Sequence, residues 1–257
     1  DKSLSAISSI HNKFSPLVGK ERLKIVQMPY ADRGFWARDG VPVPVIRETP
    51  LGDELFTVVD APYYHKFEAD QEFADLFGAE LTKHDYYYEG GNFVANSRGD
   101  CLVVNKSATA QIPDSIFEDH YGCKDLTRLA YVKGIGHADE SVKYVDDDTV
   151  LTDEPSYIPQ LKAKGYKVHL LPRAKKKYET YVNSLYVNGV LYVPVFGQAT
   201  DAEALKVYRE AGFDKIIDLN SEFLSNHGAG SIHCITMTYP PVPLEKLVSK
   251  MGGKLVQ

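Results

Sequence analysis

The residues of this chain with most chemistry to offer are its three cysteines, a histidine two positions from an aspartate, and several carboxylates beside glycine turns. A thiolate is a strong nucleophile, and a nearby imidazole with carboxylates can activate it and carry protons. Cys234 follows the glycine-rich turn Gly228-Ala229-Gly230-Ser231 and opens a β-like run, His233 to Thr238, where a thiol could be displayed at a strand start. Taken alone, a single cysteine in a strand is more often a packed residue, and spacing leaves both readings open. His233 would lie on the opposite face of such a strand and reads as structural. Cys101, inside a strand-like run, and Cys123, in a turn after a helix, read as structural too. Three cysteines at no metal-like spacing argue against a disulfide framework and leave at least one thiol free.

In Gly136-His137-Ala138-Asp139-Glu140 the imidazole and the carboxylate two residues on share one face of an extended segment. A metal site would need a further convergent ligand, and no His-rich partner motif is present, so neither a metal nor a cofactor is expected. Trp36-Ala37-Arg38-Asp39 sets the only tryptophan three residues before a carboxylate, which by itself equally describes a core indole beside a surface ion pair. Glu89-Gly90-Gly91-Asn92 is a turn with a carboxylate at its lip. Lys175-Lys176-Lys177 reads as a solvated basic patch, and Asp146-Asp147-Asp148 as a hairpin turn with at most a weak hold on a cation such as calcium.

The elements that must position these residues belong to an ordinary globular chain of 257 residues, 44% apolar and 25% charged, which excludes disorder and collagen-like repeats. Apolar runs all break well short of 18 residues, so no membrane span is expected. The net charge of -6 argues against nucleic acid and suits a cationic substrate. The start at Asp1, without Met, fits a processed secreted domain or a trimmed chain, and neither compartment nor oligomeric state is assigned.

Periodicity predicts strands over 22–28, 41–46 and 55–60, then a helix over 66–81. A hairpin over 92–105 and a short helix from Pro113 to Tyr121 follow. Next come a hairpin over 143–151, a helix over 157–164 and a strand over 167–171. Asn188-Gly189, the strongest hairpin dipeptide, joins strands 184–187 and 190–193 ahead of a helix over 201–211 and a strand over 215–219. The last unit is a strand over 233–238 and a helix over 244–251. Strand, strand, helix, strand thus recurs. Asp39, Glu89, His137, Asn183 and Cys234 stand at or just before the first strand of successive units, 50, 48, 46 and 51 residues apart. Five units around an axis would bring these five side chains into one pocket, whereas a linear stack would spread them in a row.

Together the segments resemble the guanidino-group-modifying enzymes, and most closely the family joining agmatine deiminases with bacterial-type peptidylarginine deiminases. Trp36-Ala37-Arg38-Asp39 is similar to that family's Trp-x-Arg-Asp, Glu89-Gly90-Gly91-Asn92 to its Glu-Gly-Gly-Asn, and Gly136-His137-Ala138-Asp139 to its Gly-His-x-Asp. Tyr181-Val182-Asn183-Ser184, with Pro194 and Gly197, resembles its Asn-containing hairpin, and Ile232-His233-Cys234-Ile235-Thr236 its cysteine segment. The likeness runs from about Leu23 to Pro240. Departures are a valine between Gly40 and Pro42, Lys133-Gly134-Ile135 ahead of Gly136-His137, and Glu140 after the aspartate, as in animal protein-arginine deiminases.

The resemblance implies an α/β fold of pentein type: a five-bladed propeller of ββαβ units forming one catalytic domain over 1–257. Its first blade is expected to be incomplete at the N-terminus or completed by the C-terminus. It implies Cys234 as nucleophile, His137 as proton carrier and Asp39 and Asp139 as guanidinium clamps. Glu89 would orient His137, Asn183 would lie near the thiol, and Trp36 would help bind substrate. The expected reaction converts peptidyl-arginine or a related arginine derivative to a citrulline-type product and ammonia. Free agmatine is the alternative substrate. Amidino transfer and a non-catalytic pentein binding protein are more distant readings.

Overall fold

The computed structural model describes residues 2–18, 23, 25–27, 35–48, 51–52, 54–63, 70–240, 245 and 254–256. An N-terminal helix, α1 (Lys2–Val18), precedes a short strand β1 (Ile25–Gln27) and a one-turn helix α2 (Ala37–Gly40). Four three-stranded sheets then follow one plan: an antiparallel hairpin, a helix, and a third strand parallel to the second.

The first sheet contains β2 (Val43–Glu48) and β3 (Glu54–Asp60), then α3 (Asp70–Phe77) and β4 (Glu80–Lys83). In the second, β5 (Val94–Ala95) and β6 (Asp100–Asn105) are followed by α4 (Asp114–Tyr121) and β7 (Asp125–Ala130). The third has β8 (Val142–Tyr144), β9 (Thr149–Thr152), α5 (Ile158–Ala163) and β10 (Lys167–Leu170). The fourth has β11 (Leu185–Val187), β12 (Val190–Val195), α6 (Thr200–Glu210) and β13 (Ile216–Asn220), with α7 (Glu222–Gly228) behind it. A fifth sheet joins the chain's two ends, β1 pairing antiparallel with β14 (Lys254–Val256). The fold is mixed α/β, and its sheets are separate; the described strands do not close into a barrel.

The central strands explain how neighbouring units lock together. Successive side chains point to opposite faces of a strand, and along β6 Cys101 and Val103 join one core with Val45, Val59, Phe117 and Tyr121, while Leu102 and Val104 join another with Leu129, Val150 and Leu161. In β9, Val150 belongs to that second core and Leu151 to a third, with Leu191, Val193, Ala204 and Tyr208. Strands buried on both faces read as continuous apolar runs, as Cys-Leu-Val-Val does here. Each middle sheet is thus shared between two cores.

Several expectations need correction. The helix predicted over 66–81 ends at Phe77, because Gly78 turns left-handed (φ 64°) and sends the chain into β4; residues 64–69 lie outside the described part. The strand predicted over 233–238 is instead a turn through Ile235 followed by irregular chain. The helix predicted over 244–251 falls outside the described residues except for Glu245. Cys101 and Cys123 form a disulfide, with Cα atoms 5.7 Å apart, leaving Cys234 as the free thiol. Cys101 sits on β6 and Cys123 on the turn that brings α4 back to β7, so the chain between them, spanning a sequence separation of 22, returns over its own start. No described helix is long and apolar enough to cross a membrane.

Candidate active site

Short segments preceding the sheets carry the chemically active side chains to one place. Asp39 and Asp139 sit in one-turn helices, Glu89 and His137 in extended backbone directly before such helices, and Asn183 and Cys234 in bends or turns; none lies in a strand.

Asn183 organises the cysteine turn. Its Oδ1 accepts from the backbone N–H groups of Ser231 (3.1 Å), His233 (3.1 Å) and Cys234 (3.4 Å). Its Nδ2 donates to Cys234 Sγ at 3.1 Å and to the Asp139 carbonyl at 3.3 Å. One fully buried amide therefore holds the turn and touches the thiol. The turn is glycine-rich because the indole of Trp36 lies on it: a Cβ on Gly228 would stand 2.8 Å from Trp36 Cη2, and one on Gly230 would stand 2.9 Å from Trp36 Cζ3 and 3.0 Å from Cys234 Sγ.

Arg38, to which sequence reasoning gave no role, ties the first unit to the last. Its N–H donates to the Cys234 carbonyl at 3.0 Å, and its guanidinium to the His233 carbonyl (3.4 Å) and Met237 Sδ (3.2 Å). The Trp-x-Arg-Asp spacing was the available signal.

His137 is 2% exposed. Its Nε2 meets Glu89 Oε2 at 2.9 Å, and its Nδ1 lies 3.5 Å from Asp39 Oδ1 without a hydrogen-bond partner. Asp39 Oδ1 accepts the Gly91 N–H at 3.0 Å. Asp139 Oδ2 accepts from His233 Nδ1 at 2.7 Å and faces Cys234 Sγ at 3.6 Å, while its Oδ1 is buried and unpartnered. Gly91 is the pivot: a Cβ there would stand 2.6 Å from Asp39 Oδ1, 2.9 Å from His137 Nδ1 and 3.3 Å from Asp139 Oδ1. His233 thus belongs to the cluster, contrary to the expectation that it points away, because the segment is a turn and not a strand.

Burial and charge split the acids. Burial, with the charges of Asp139 and Glu89, pushes Asp39 up to about 6 against the pull of His137 and the Gly91 N–H. Burial acts the same way on Asp139, but the hydrogen bond and charge of His233, with the charges of His137 and Arg38, hold it below the usual carboxylate range. Burial opposes ionisation of Glu89 as well, yet His137 and Lys106 bring it down to about 2. On His137 itself burial favours the neutral ring, and Glu89, Asp39 and Asp139 outweigh it, so its value is raised. Burial, then Arg38, pushes His233 down to about 4, making it a neutral N–H donor to Asp139. The Cys234 thiol is driven well up by burial and by Asp139, Glu140 and Asp39. Acids and bases pushed apart in this way are the pattern of a site built for proton transfer.

No described group of three His, Cys, Asp or Glu side chains is arranged to hold a metal ion. A cavity of about 700 Å³ lies elsewhere, lined by Pro44, Val45, Phe93, Arg98, Cys101 and Lys124, and contains none of the reactive cluster. In the acidic turn 146–148, Asp147 accepts from Ser97 Oγ and Asp148 from the Arg98 guanidinium of the neighbouring hairpin.

Known proteins resemble this chain over most of its length. The family described as Porphyromonas-type peptidyl-arginine deiminase matches residues 4–240. An agmatine-deiminase-type protein of Streptococcus mutans is 31% identical over 93 residues, 35% of this chain and 25% of its own length. The agmatine deiminase of Stutzerimonas stutzeri is 41% identical over 63 residues, 24% of this chain and 17% of its own. The matched stretches therefore span a quarter or less of these curated relatives. Among solved structures, C. jejuni agmatine deiminase superposes with a TM-score of 0.63 at 22% identity, covering 78% of this chain and 70% of that one. The Enterococcus faecalis agmatine deiminase gives 0.60 at 18% identity, covering 78% and 73%.

Proposed function

Because this chain belongs to the Porphyromonas-type peptidyl-arginine deiminase family, we propose that it is a hydrolytic deiminase acting on peptidyl-arginine or a related arginine derivative. Residues 1–257 then form one catalytic domain of pentein type. The four ββαβ sheets, the end-to-end β1–β14 sheet and the shared cores support a five-bladed arrangement around the reactive cluster.

The observation that carries the reading is the convergence of His137 Nδ1, Asp39 Oδ1 and Asp139 Oδ1 over Gly91, with Cys234 on the other oxygen of Asp139. A guanidinium is planar and cationic, and its N–H groups suit carboxylates. Asp39 and Asp139 hold it, and its arrival adds a positive charge beside the buried thiol. The thiol then ionises beside an opposite charge.

Cys234 thiolate attacks the guanidinium carbon and forms a C–S bond. His137 gives its Nδ1 proton to the departing nitrogen, and ammonia leaves as the C–N bond breaks. A water then loses a proton to His137 and adds to the same carbon. The C–S bond breaks and the thiolate returns, the added hydroxyl releases its remaining proton to solvent, and a ureido group remains. Glu89 orients the imidazole through Nε2, Asn183 holds the thiol, and Trp36 packs against the cysteine turn.

Agmatine is the second substrate reading, favoured by the agmatine-deiminase relatives. Ammonia and ureido-product release from an arginine peptide, free arginine and agmatine, with Cys234→Ala as control, tests both. Peptide turnover supports the first reading and agmatine turnover alone the second. An active Cys234→Ala protein overturns the mechanism.

A further inference from the structure

Lys106 follows directly after β6 and reaches back to the residues that flank His137. Its ammonium is bonded to Glu89 Oε2, the oxygen that also meets His137 Nε2 at 2.9 Å. It stands 3.5 Å from the Ile135 carbonyl, and a Cβ on Gly136 would be 3.3 Å from the Lys106 Cδ, so its stem packs under the residue preceding His137. With 19% of its side chain exposed, this ion pair is largely shielded from solvent.

The charge around His137 makes this contact consequential. Asp39 approaches from α2, Glu89 from the Gly-Gly turn, and Asp139 and Glu140 from the turn that follows His137 itself. Three of these, Glu89, Asp39 and Asp139, favour the protonated form of the imidazole and would make the proton hard to surrender, while burial keeps Glu140 in its neutral form. Lys106, just past the end of β6, supplies an opposing positive charge. We propose that Lys106 is a positioning residue for the proton carrier: it fixes Glu89 under the ring and, by sharing that carboxylate, keeps the His137 proton transferable. This rests on His137 as the proton carrier of the deiminase reading.

The experiment follows the His137 ring by NMR titration in isotope-labelled Cys234→Ala protein, with His137→Asn identifying its resonance. Lys106→Met and Lys106→Arg are compared in that background. Two donors on one oxygen sit close enough that removing one charge should move the midpoint upward by about one unit, even with partial screening. Lys106→Arg should hold it near the parent value. In the active protein the alkaline limb of the kcat profile moves up in Lys106→Met, with KM changing far less. A midpoint that stays put or falls in Lys106→Met, or an Arg variant shifted as far as the Met variant, overturns the proposal. If Lys106→Met does not fold, Lys106→Gln takes its place. The titration needs no turnover, so a wild-type protein silent on every guanidine would remove the deiminase reading while the shift still decided the role of Lys106.

Discussion

Replacing Gly91 by alanine adds one methyl group where the site is tightest. Gly91 is not in the left-handed region, so alanine fits its backbone and the effect comes from the methyl alone. The new carbon would lie 2.6 Å from Asp39 Oδ1 and 2.9 Å from His137 Nδ1. Carbon and oxygen normally approach to roughly 3.3–3.6 Å, so Asp39 must withdraw by roughly 0.7–1 Å and the imidazole by about half as much. Withdrawal also lengthens the 3.0 Å bond from the Gly91 N–H, removing a donor that favours the ionised form of Asp39, already pushed up to about 6. Overpacking of this kind costs about 1–3 kcal/mol of stability. A shift approaching 1 Å in groups that clamp and protonate the substrate costs roughly 10²-fold in rate, or about 2.7 kcal/mol of barrier. The assay is kcat/KM for ammonia release from the best substrate, with the Tm recorded alongside. Activity within about threefold of wild type in a folded Gly91→Ala protein would refute the claim that substrate is held in the space over Gly91.

Other substitutions test separate parts of the structure. Asn183→Ala strips the Ser231 and Cys234 N–H groups of their acceptor and leaves the His233 N–H only its 3.3 Å bond to the carbonyl of residue 183, and at about 1 kcal/mol or more per lost acceptor a denaturant melt should show a loss of about 2 kcal/mol with turnover abolished; a loss below about 0.5 kcal/mol would mean that the turn holds itself. Burial, followed by the charge of Asp139, pushes Glu140 up to about 8. The folded chain therefore keeps a proton that the unfolded chain releases near the ordinary carboxylate value, and stability should fall as pH rises from about 4.5 to 8. Glu140→Gln should flatten that slope and raise stability at pH 8 by on the order of a few kcal/mol, read from melts at several pH values. Joint Cys101→Ala and Cys123→Ala replacement should cost about 3 kcal/mol, the loop-closure value for a 22-residue separation, with Cys234 chemistry intact.

Much of this arrangement was legible in the sequence, for identifiable reasons. Asn188 and Gly189 both take positive φ (50° and 76°), the geometry that an Asn-Gly hairpin requires, and the strands on either side formed as expected. The near-equal spacing of Asp39, Glu89, His137 and Asn183 reflects that each precedes a sheet of the same plan, and Cys234 joins them from the turn after the last of these sheets. The strands β4 and β7 were missed. β7 carries Asp125 and Arg128, the latter bonded to Asp114 and to the Ile112 carbonyl, so surface ion pairing hides its alternation. His233 was misplaced because a β-branched run after a glycine turn looks like a strand, and only Asn183, 50 residues earlier, holds its N–H groups in a turn. The disulfide was invisible for a related reason: two cysteines 22 residues apart become neighbours only once α4 has folded back along β6.

Pairing of Cys101 with Cys123 leaves a single free thiol in the polypeptide, and it is the one bonded to Asn183. Stoichiometry and competence thus coincide: under non-reducing conditions, moles of alkylatable sulfhydryl per mole of polypeptide count intact reaction centres directly. An amidine-shaped electrophile would report the same number by mass, as one adduct per chain, and a preparation that took up more would reveal chains whose second unit had never been oxidised.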